Sequence, residues 1–381
     1  MADGSDQRDP VSRFGVALGK LGGETHRRGD FVVTDGLEIL PVRGIGHIVA
    51  GDDLAELITA AAPWIADGDV LVVTSKIVSK AEGRLVEVPA DGPERDEARR
   101  VALASETARV VARRGPTTIV QTHHGFVMAA AGIDASNVDK THLVLLPADP
   151  DASAQRLRAD FRARGLDVGV IVSDTMGRAW RNGLTDVALG AAGIEPIRDH
   201  RGETDPYGNE LEITQMAVID ELAAAGELVK GKCDQVPVAV VRGYPRSGIR
   251  DSGGASVLLR DAASDMFSLG TAEARSTGLR DAAQLPDGAL PGLPVDPAAV
   301  DRAAAAVADL LSHAITVTPA EVVTGSGATA ALHLTTRDAS PAGWMRLGAD
   351  AHRLRAALAA ESIVTLSLPH EDGIRLELSG I

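Results

Sequence analysis

Short apolar runs, rather than long amphipathic stretches, organise this chain. Val70-Leu71-Val72-Val73, Val168-Gly169-Val170-Ile171-Val172 and the segment 237–241 are continuous in apolar character, rich in β-branched residues and too short for helices. Asp67-Gly68-Asp69 turns the chain into the first of them. Such runs predict strands covered on both faces. Further strands are predicted at Leu37-Glu38-Ile39-Leu40-Pro41 and over 118–121 and 143–146. Between them the period lengthens. Asp52 or Asp53 is placed to cap a helix running to about Ile65, and Val101, Ala104, Ala108 and Val111 predict one helix over 93–114. Helices are also predicted over 152–164 and 215–230, the latter closed by Gly231. Helix and strand mix without a strict βαβ rhythm, which predicts an α+β fold.

The texture changes near Asp281. The Pro- and Gly-rich run 285–296 reads as a linker between a catalytic domain over 37–284 and a small C-terminal α/β domain over 297–381. In that domain helices are predicted over 297–311 and 350–360, with strands near 314–317, 331–335, 363–368 and 374–378. Residues 1–36 are polar and Gly-rich and read as a flexible leader; the stretch 14–21 is broken by Gly15, Gly19 and Lys20 and makes a poor signal peptide.

Composition narrows the function classes. Apolar residues make up 45% of 381, enough for a sizeable core, whereas aromatics reach only 3%, so the core rests on Val, Leu, Ile and Ala. A net charge of −15 argues against a general nucleic-acid binder but leaves room for a small anionic ligand held by a few local cations. No apolar run approaches the ~20 residues of a membrane span. Cys233 is the only cysteine, so no intrachain disulfide forms and a reducing, cytoplasmic setting is expected. Without a histidine nearby in sequence it reads as an inert small residue.

Three polar clusters carry candidate chemistry. Ser173-Asp174-Thr175-Met176-Gly177-Arg178 follows a buried strand, where a carboxylate and a hydroxyl suit a hard cation, and Arg178 and Arg181 suit phosphate. The same residues also read as a capped turn with solvated arginines. Gly132-Ile133-Asp134-Ala135-Ser136-Asn137 sets Asp134 and Asn137 three apart, facing one ligand if the segment turns, or forming a plain turn. Thr74-Ser75-Lys76-Ile77-Val78-Ser79-Lys80 reads either as a phosphate cradle or as two lysines on an exposed helix face; the spacing is not that of a Walker A loop. Gly325-Ser326-Gly327-Ala328-Thr329-Ala330 lacks the acidic partner of a dinucleotide fingerprint and reads as a loop, and His123-His124 reads as two ordinary histidines.

Together with Leu40-Pro41-Val42, Asp205-Pro206-Tyr207-Gly208-Asn209-Glu210-Leu211 and Val229-Lys230-Gly231, these motifs, in this order, resemble the coenzyme F420-0:L-glutamate ligase family over about 37–270. The likeness is nearest to the amino-terminal half of the actinobacterial two-domain form. The resemblance implies an intertwined homodimer that uses GTP to phosphorylate a carboxylate of the F420-0 precursor, after which the amine of L-glutamate displaces phosphate. It implies that Asp134, Asp174 and Thr175 hold metal, with two Mg²⁺ or Mn²⁺ ions and K⁺ as a further candidate. Ile45, Gly46, His47, Ile48, Ser75, Lys80 and Asn137 would contact the nucleotide, and Asp174, Arg178 and Lys80 would serve catalysis. Lys232-Cys233-Asp234 departs from the family pattern and leaves the second metal incompletely specified. The tail is too short for the flavin-binding domain of the two-domain relatives, so no flavin is expected. Two other readings are a nucleotide-dependent kinase of another anionic metabolite and a non-catalytic regulator that binds nucleotide or deazaflavin. The second gives no chemical reason to keep Asp134 and Asp174 together.

Overall fold

The computed structural model describes residues 36–136, 138–232, 234–245, 248 and 253–381. The expected leader, apart from Gly36, lies outside the described residues, as do Asn137 and Cys233. In chain order the elements are β1 (Glu38–Val42), α1 (Leu54–Ala61), β2 (Val70–Thr74), α2 (Ser75–Ala81), β3 (Leu85–Glu87), α3 (Gly92–Ser105), β4 (Thr107–Arg114), β5 (Thr117–Thr122), β6 (Val127–Ala129), β7 (His142–Val144), α4 (Pro150–Ala163), β8 (Gly169–Arg178) and β9 (Arg181–Ala192). They continue with β10 (Arg198–Asp199), β11 (Gln215–Met216), α5 (Val218–Lys230), β12 (Val238–Arg242), α6 (Thr271–Ala283), α7 (Pro297–Val307), β13 (Ile315–Ala320), β14 (Ala330–Thr336), α8 (Pro341–Ala360), β15 (Ile363–His370) and β16 (Gly373–Gly380). The chain divides into two compact units: residues up to Thr107 with Thr122–Arg260, and Ala108–Gln121 with Asp261–Ile381.

The first unit is α+β. Its five-stranded sheet runs β1-β12-β2-β8-β9, and only the β2–β8 pair is parallel. The apolar runs of β2, β8 and β12 are buried on both faces because helices cover both. Leu71, Val73, Val170, Val172, Val238 and Val240 pack against Ile58 of α1 and Ala154, Leu157 and Phe161 of α4. Val70, Val72, Ile171, Ala239 and Val241 pack against Ile219, Leu222 and Ala223 of α5. Shortening one of these buried side chains, as in Leu222→Ala, costs about 2–5 kcal/mol. Helix α5 lies close to the sheet because Gly226 carries no side chain; a Cβ there would stand 2.9 Å from Val72. Asp53, not Asp52, caps α1, its carboxylate accepting from Glu56 N at 2.9 Å.

The β8–β9 hairpin carries two irregularities, one at its tip between Gly177 and Arg178 and one beside the sheet core. Val172 pairs with Gly190 but Ser173 pairs with Ala188, so Leu189 is an extra residue bulging from β9. Beyond it, Asp174 pairs with Val187 and Thr175 with Asp186. Leu189 itself is buried with Phe126, Met128 and Leu146.

In the second unit a wholly antiparallel sheet, β13-β14-β16-β15, is covered on one face by α7 and α8, so α+β describes it rather than the expected α/β. The run 285–296 is fastened to this unit: Arg355 pairs with Asp287 at 2.9 Å, Leu290 is buried, and Leu293 bridges Gly380. The contact boundary falls at Arg260/Asp261, ahead of the expected linker. The helix predicted over 93–114 is corrected as well. It ends at Ser105, and residues 107–114 form β4, hairpinned to β5. Within the second unit, Arg109 of β4 donates to Gln121 at 2.6 Å and to Ser268 O at 2.7 Å, so the hairpin is held by tertiary partners that local periodicity does not register. Residues 215–216, expected in a helix, form β11 instead. Gly325-Ser326-Gly327 lies in the connection between β13 and β14.

Candidate active site

Strands β2 and β8 are parallel neighbours, so the first residues of α2 and the last residues of β8 emerge at the same edge of the sheet. That edge forms a cavity of about 970 Å³ in the first unit. On the β8 side stand Asp174 and Thr175. Ser75 Oγ, at the start of α2, donates to Asp174 Oδ2 at 2.7 Å, and Thr175 N donates to Oδ1 at 2.6 Å. Burial pushes the Asp174 carboxyl above its ordinary range, the Asp186 and Asp134 charges adding to that rise while the Ser75 and Thr175 donors oppose it. One hydrogen-bond layer deeper, Asp186 of β9 accepts from Ser173 Oγ at 2.9 Å and Thr175 Oγ1 at 2.7 Å. Lys230, at the end of α5, donates to Asp186 Oδ2 at 2.8 Å and to Ser173 Oγ at 2.9 Å. Burial raises the Asp186 carboxyl, but the Lys230 charge and the hydroxyl donors outweigh it and hold the group below its ordinary range. Lys232 Nζ reaches both Thr175 Oγ1 and Glu227 Oε1 at 2.6 Å.

The opposite wall is cationic. Lys76 Nζ lies 2.6 Å from Asp134 Oδ2 and donates to Ser136 Oγ at 2.8 Å, while Ser136 N donates to Asp134 Oδ1 at 2.6 Å. Burial raises the Asp134 carboxyl, yet Lys76 and Ser136 bring it to a net value below the ordinary range. Lys80, one turn along α2, is buried; burial first and the Lys76 charge second push its ammonium below the usual lysine range, partly offset by Asp134. Ser79 also lines the cavity, and its buried Oγ has no hydrogen-bond partner among the described residues. Ile45, Gly46, His47 and Ile48 line the same cavity.

The expected set Ile45–Ile48, Ser75, Lys80, Asp134, Asp174 and Thr175 therefore meets in one cavity. Arg178 does not join it. It sits at the tip of the β8–β9 hairpin, exposed, donating to Asn182 O at 3.0 Å. Asn137 lies outside the described residues. Asp174 and Thr175 from one wall and Asp134 from the other offer hard oxygens to the same cavity, a donor set that fits Mg²⁺ or Mn²⁺. Their fit is strengthened by Asp174 itself, a half-buried carboxylate with two others, Asp186 and Asp134, close enough to act on it. His123 and His124 are elsewhere, their Nε2 atoms on Ser105 O and Ala148 O at 3.0 and 3.1 Å.

The family described as F420-0:gamma-glutamyl ligase matches residues 44–243, the span that contains every cavity residue named above. The coenzyme F420:L-glutamate ligase of Methanothermobacter thermautotrophicus is 41% identical over 249 residues, 61% of this chain and 99% of the relative. The enzyme of the same name from Archaeoglobus fulgidus is 41% identical over 56% of this chain and 90% of the relative, and that from Methanopyrus kandleri 40% over 61% and 97%. The chain belongs to the F420-0:gamma-glutamyl ligase family.

Several polar residues of this ligase-family cavity escape a reading by motif, and Lys230, quoted above only within Val229-Lys230-Gly231, takes a definite place there. Asp186 follows the exposed hairpin tip and precedes the apolar run 187–192; a carboxylate on the threshold of a buried strand is the signal that marks it. Glu227 and Lys230 share one face of α5, three apart, and point into the cavity, which periodicity alone reads as the solvated side of an amphipathic helix. Gln235 lines the cavity from a left-handed backbone (φ 54°), whereas Asp234 is not among the lining residues. The Asp234 carboxylate instead lies back against Gly231, where a Cβ would stand 3.2 Å from its Oδ2, and the carboxylate that lines the cavity in this region is Glu227 of the preceding turn.

Proposed function

We propose that this chain joins L-glutamate to F420-0 through an amide bond, using GTP to form an acyl-phosphate first. The observation that carries the reading is the single cavity in which Asp134, Asp174 and Thr175 face Lys76, Lys80 and Ser75. A free carboxylate does not react with an amine at neutral pH, so it needs a leaving group. A carboxylate oxygen of F420-0 attacks the γ-phosphorus of GTP, the bond to the β-γ bridging oxygen breaks, and GDP leaves. The glutamate amine then attacks the acyl carbon, phosphate departs with the bonding electrons, and the amine proton passes to solvent. Divalent cations held by Asp134, Asp174 and Thr175, two Mg²⁺ or Mn²⁺ and with K⁺ as an additional candidate, would neutralise the phosphate charge. Lys76 and Lys80 add fixed positive charge at the phosphates, and Ile45–Ile48 flank the nucleotide. Ser75 positions Asp174 through its 2.7 Å hydrogen bond, and the buried Asp186–Lys230 pair fixes Thr175 from behind. The apolar walls from Met128, Ile133 and Leu146 keep water from the acyl-phosphate.

Homodimerisation belongs to the same proposal. It is supported by the exposed apolar side chains Trp180, Leu184, Tyr207 and Ile213 on the β8–β9 tip and the β10–β11 arm. The deciding experiment incubates the purified chain with GTP, L-glutamate, Mn²⁺ and F420-0 and reads product masses, with the particle mass measured by light scattering. A gain of one or more glutamyl units with matching GDP release supports the reading. GDP release with no amide product would favour a kinase, and no turnover at all would overturn both.

A further inference from the structure

The second unit carries a cluster that neither the motifs nor the family match accounts for. His333 of β14, His370 at the end of β15 and Asp372 in the β15–β16 turn bring one ligand atom each within 4.8 Å of one another. The backbone explains the convergence. On β14, Leu332 and Leu334 face α7 and α8 in the core, so His333 between them projects from the opposite face. His333 pairs with Arg375 on β16, and His370 pairs with Gly373, so the two histidines stand on neighbouring rows. Gly373 leaves the space between them open: a Cβ there would lie 2.0 Å from Leu334 O and 3.1 Å from His333 Nε2. The imidazoles consequently meet edge to face, with centroids 4.5 Å apart.

The ligand atoms are spaced as a small ion requires. Asp372 Oδ1 is 2.7 Å from His370 Nδ1 and 3.1 Å from His333 Nε2. Two ligands about 2.1 Å from a tetrahedral ion stand about 3.4 Å apart, so the exposed Asp372 carboxylate must draw back by about 0.7 Å from His370 and about 0.3 Å from His333 to admit one. His333 Nε2 is buried and, for all its closeness to Asp372, has no hydrogen-bond partner among the described residues. Its lone pair or proton is thus left for something else.

We propose that His333, His370 and Asp372 form a second metal site, separate in chemistry from the oxygen-lined cavity of the first unit. Two imidazoles and one carboxylate select a borderline first-row ion of the Zn²⁺ class rather than Mg²⁺, and three protein ligands at an exposed turn leave one coordination position to water. The bland alternative is a hairpin turn clasped by a His370–Asp372 hydrogen bond.

The test uses the full chain, free of any affinity tag, in saturating Mg²⁺ so that the hard-oxygen cavity does not compete. Zn²⁺ is titrated by calorimetry, and Co²⁺ is followed by visible absorption. The expected result is one equivalent of Zn²⁺ and a tetrahedral Co²⁺ spectrum, both lost in His333→Ala/His370→Ala. His370→Ala alone, at an exposed position where the fold is not at stake, should weaken Zn²⁺ at least tenfold, and Asp372→Asn should do so to a lesser extent. Equal stoichiometry and affinity in the parent chain and the double variant, with both folded by circular dichroism, would overturn the site.

Discussion

Replacing Lys230 with methionine tests whether the second layer of the cavity is held by charge. The two side chains of the Lys230–Asp186 pair are each only 3% exposed and meet at 2.8 Å. At an effective dielectric of ~20 such a contact is worth about 6 kcal/mol of direct attraction, most of it offset by desolvation of both ions. Lys230→Met removes the attraction and leaves the carboxylate buried, its Ser173 and Thr175 donors intact, which should cost about 3–5 kcal/mol. Because the chain has two units, global unfolding mixes their stabilities, and exchange of the β8 amides of Ile171 and Val172 reports the first unit directly. The expected loss of protection is on the order of 10²- to 10⁴-fold. Adding Asp186→Asn should recover at least half of it. The pH dependence has a fixed sign. In the parent chain the Asp186 carboxyl is lowered, so its contribution is present above the unfolded carboxylate range and fades as pH falls through the folded value. In the variant the unpaired, buried carboxyl is raised instead, so the penalty grows as pH climbs past the unfolded value and shrinks on acidification. A loss under about 1 kcal/mol, or a double variant no better than the single, would refute a buried charge pair as the support of Thr175.

Asp174→Asn keeps shape but loses charge, and should reduce ligation at limiting Mn²⁺ by about 100-fold or more with circular dichroism unchanged; near-normal turnover contradicts the metal role. Lys80→Ala should raise the KM for GTP more than that for glutamate, and the reverse ordering would remove it from the phosphate wall. Arg178→Ala should leave kcat within about threefold of the parent, since the side chain lies on the hairpin tip outside the cavity; a loss beyond about tenfold would mean that the tip closes over substrate. A chain ending at Gln284 keeps α6 and its Arg109–Glu273 pair while removing the whole core packed by α7 and α8, and should stay soluble and active; aggregation would make that core part of the catalytic fold.

The strands that build the sheet were legible because burial on both faces leaves an unbroken apolar signature, as in Val70–Val73. Residues 107–114 were not, because Ala108 and Val111 satisfy helical spacing while the β5 and Ser268 contacts that make them a strand lie elsewhere in the sequence. The first layer of the site was readable as motifs, since Ser75, Asp134 and Asp174 each sit in a polar run that follows an apolar one. Their assembly was not: Ser75 and Asp174 are 99 positions apart and meet only through the parallel β2–β8 pairing. Asp186 stands in a segment whose periodicity is fully satisfied by packing, and Lys230, although part of Val229-Lys230-Gly231, carries no local sign that it pairs with Asp186. His333, His370 and Asp372 are separated by strand connections for the same reason.

The extra residue in β9 has a bearing on how the chain tolerates changes in length. On the Gly190 side the hairpin keeps one pairing frame, and on the Asp186 side another, with Leu189 as the slack between them. Losing any one residue between Asp186 and Gly190 can be absorbed by flattening that slack, which returns the ladder to regular alternation and leaves Asp186 opposite Thr175. Gaining one there cannot be absorbed so simply, since the hairpin must swell into a wider irregularity or turn Asp186 to the far face of the sheet, away from Thr175 and Lys230. Deletions in this short stretch should therefore cost packing around Phe126 and Met128, whereas insertions should cost the site itself.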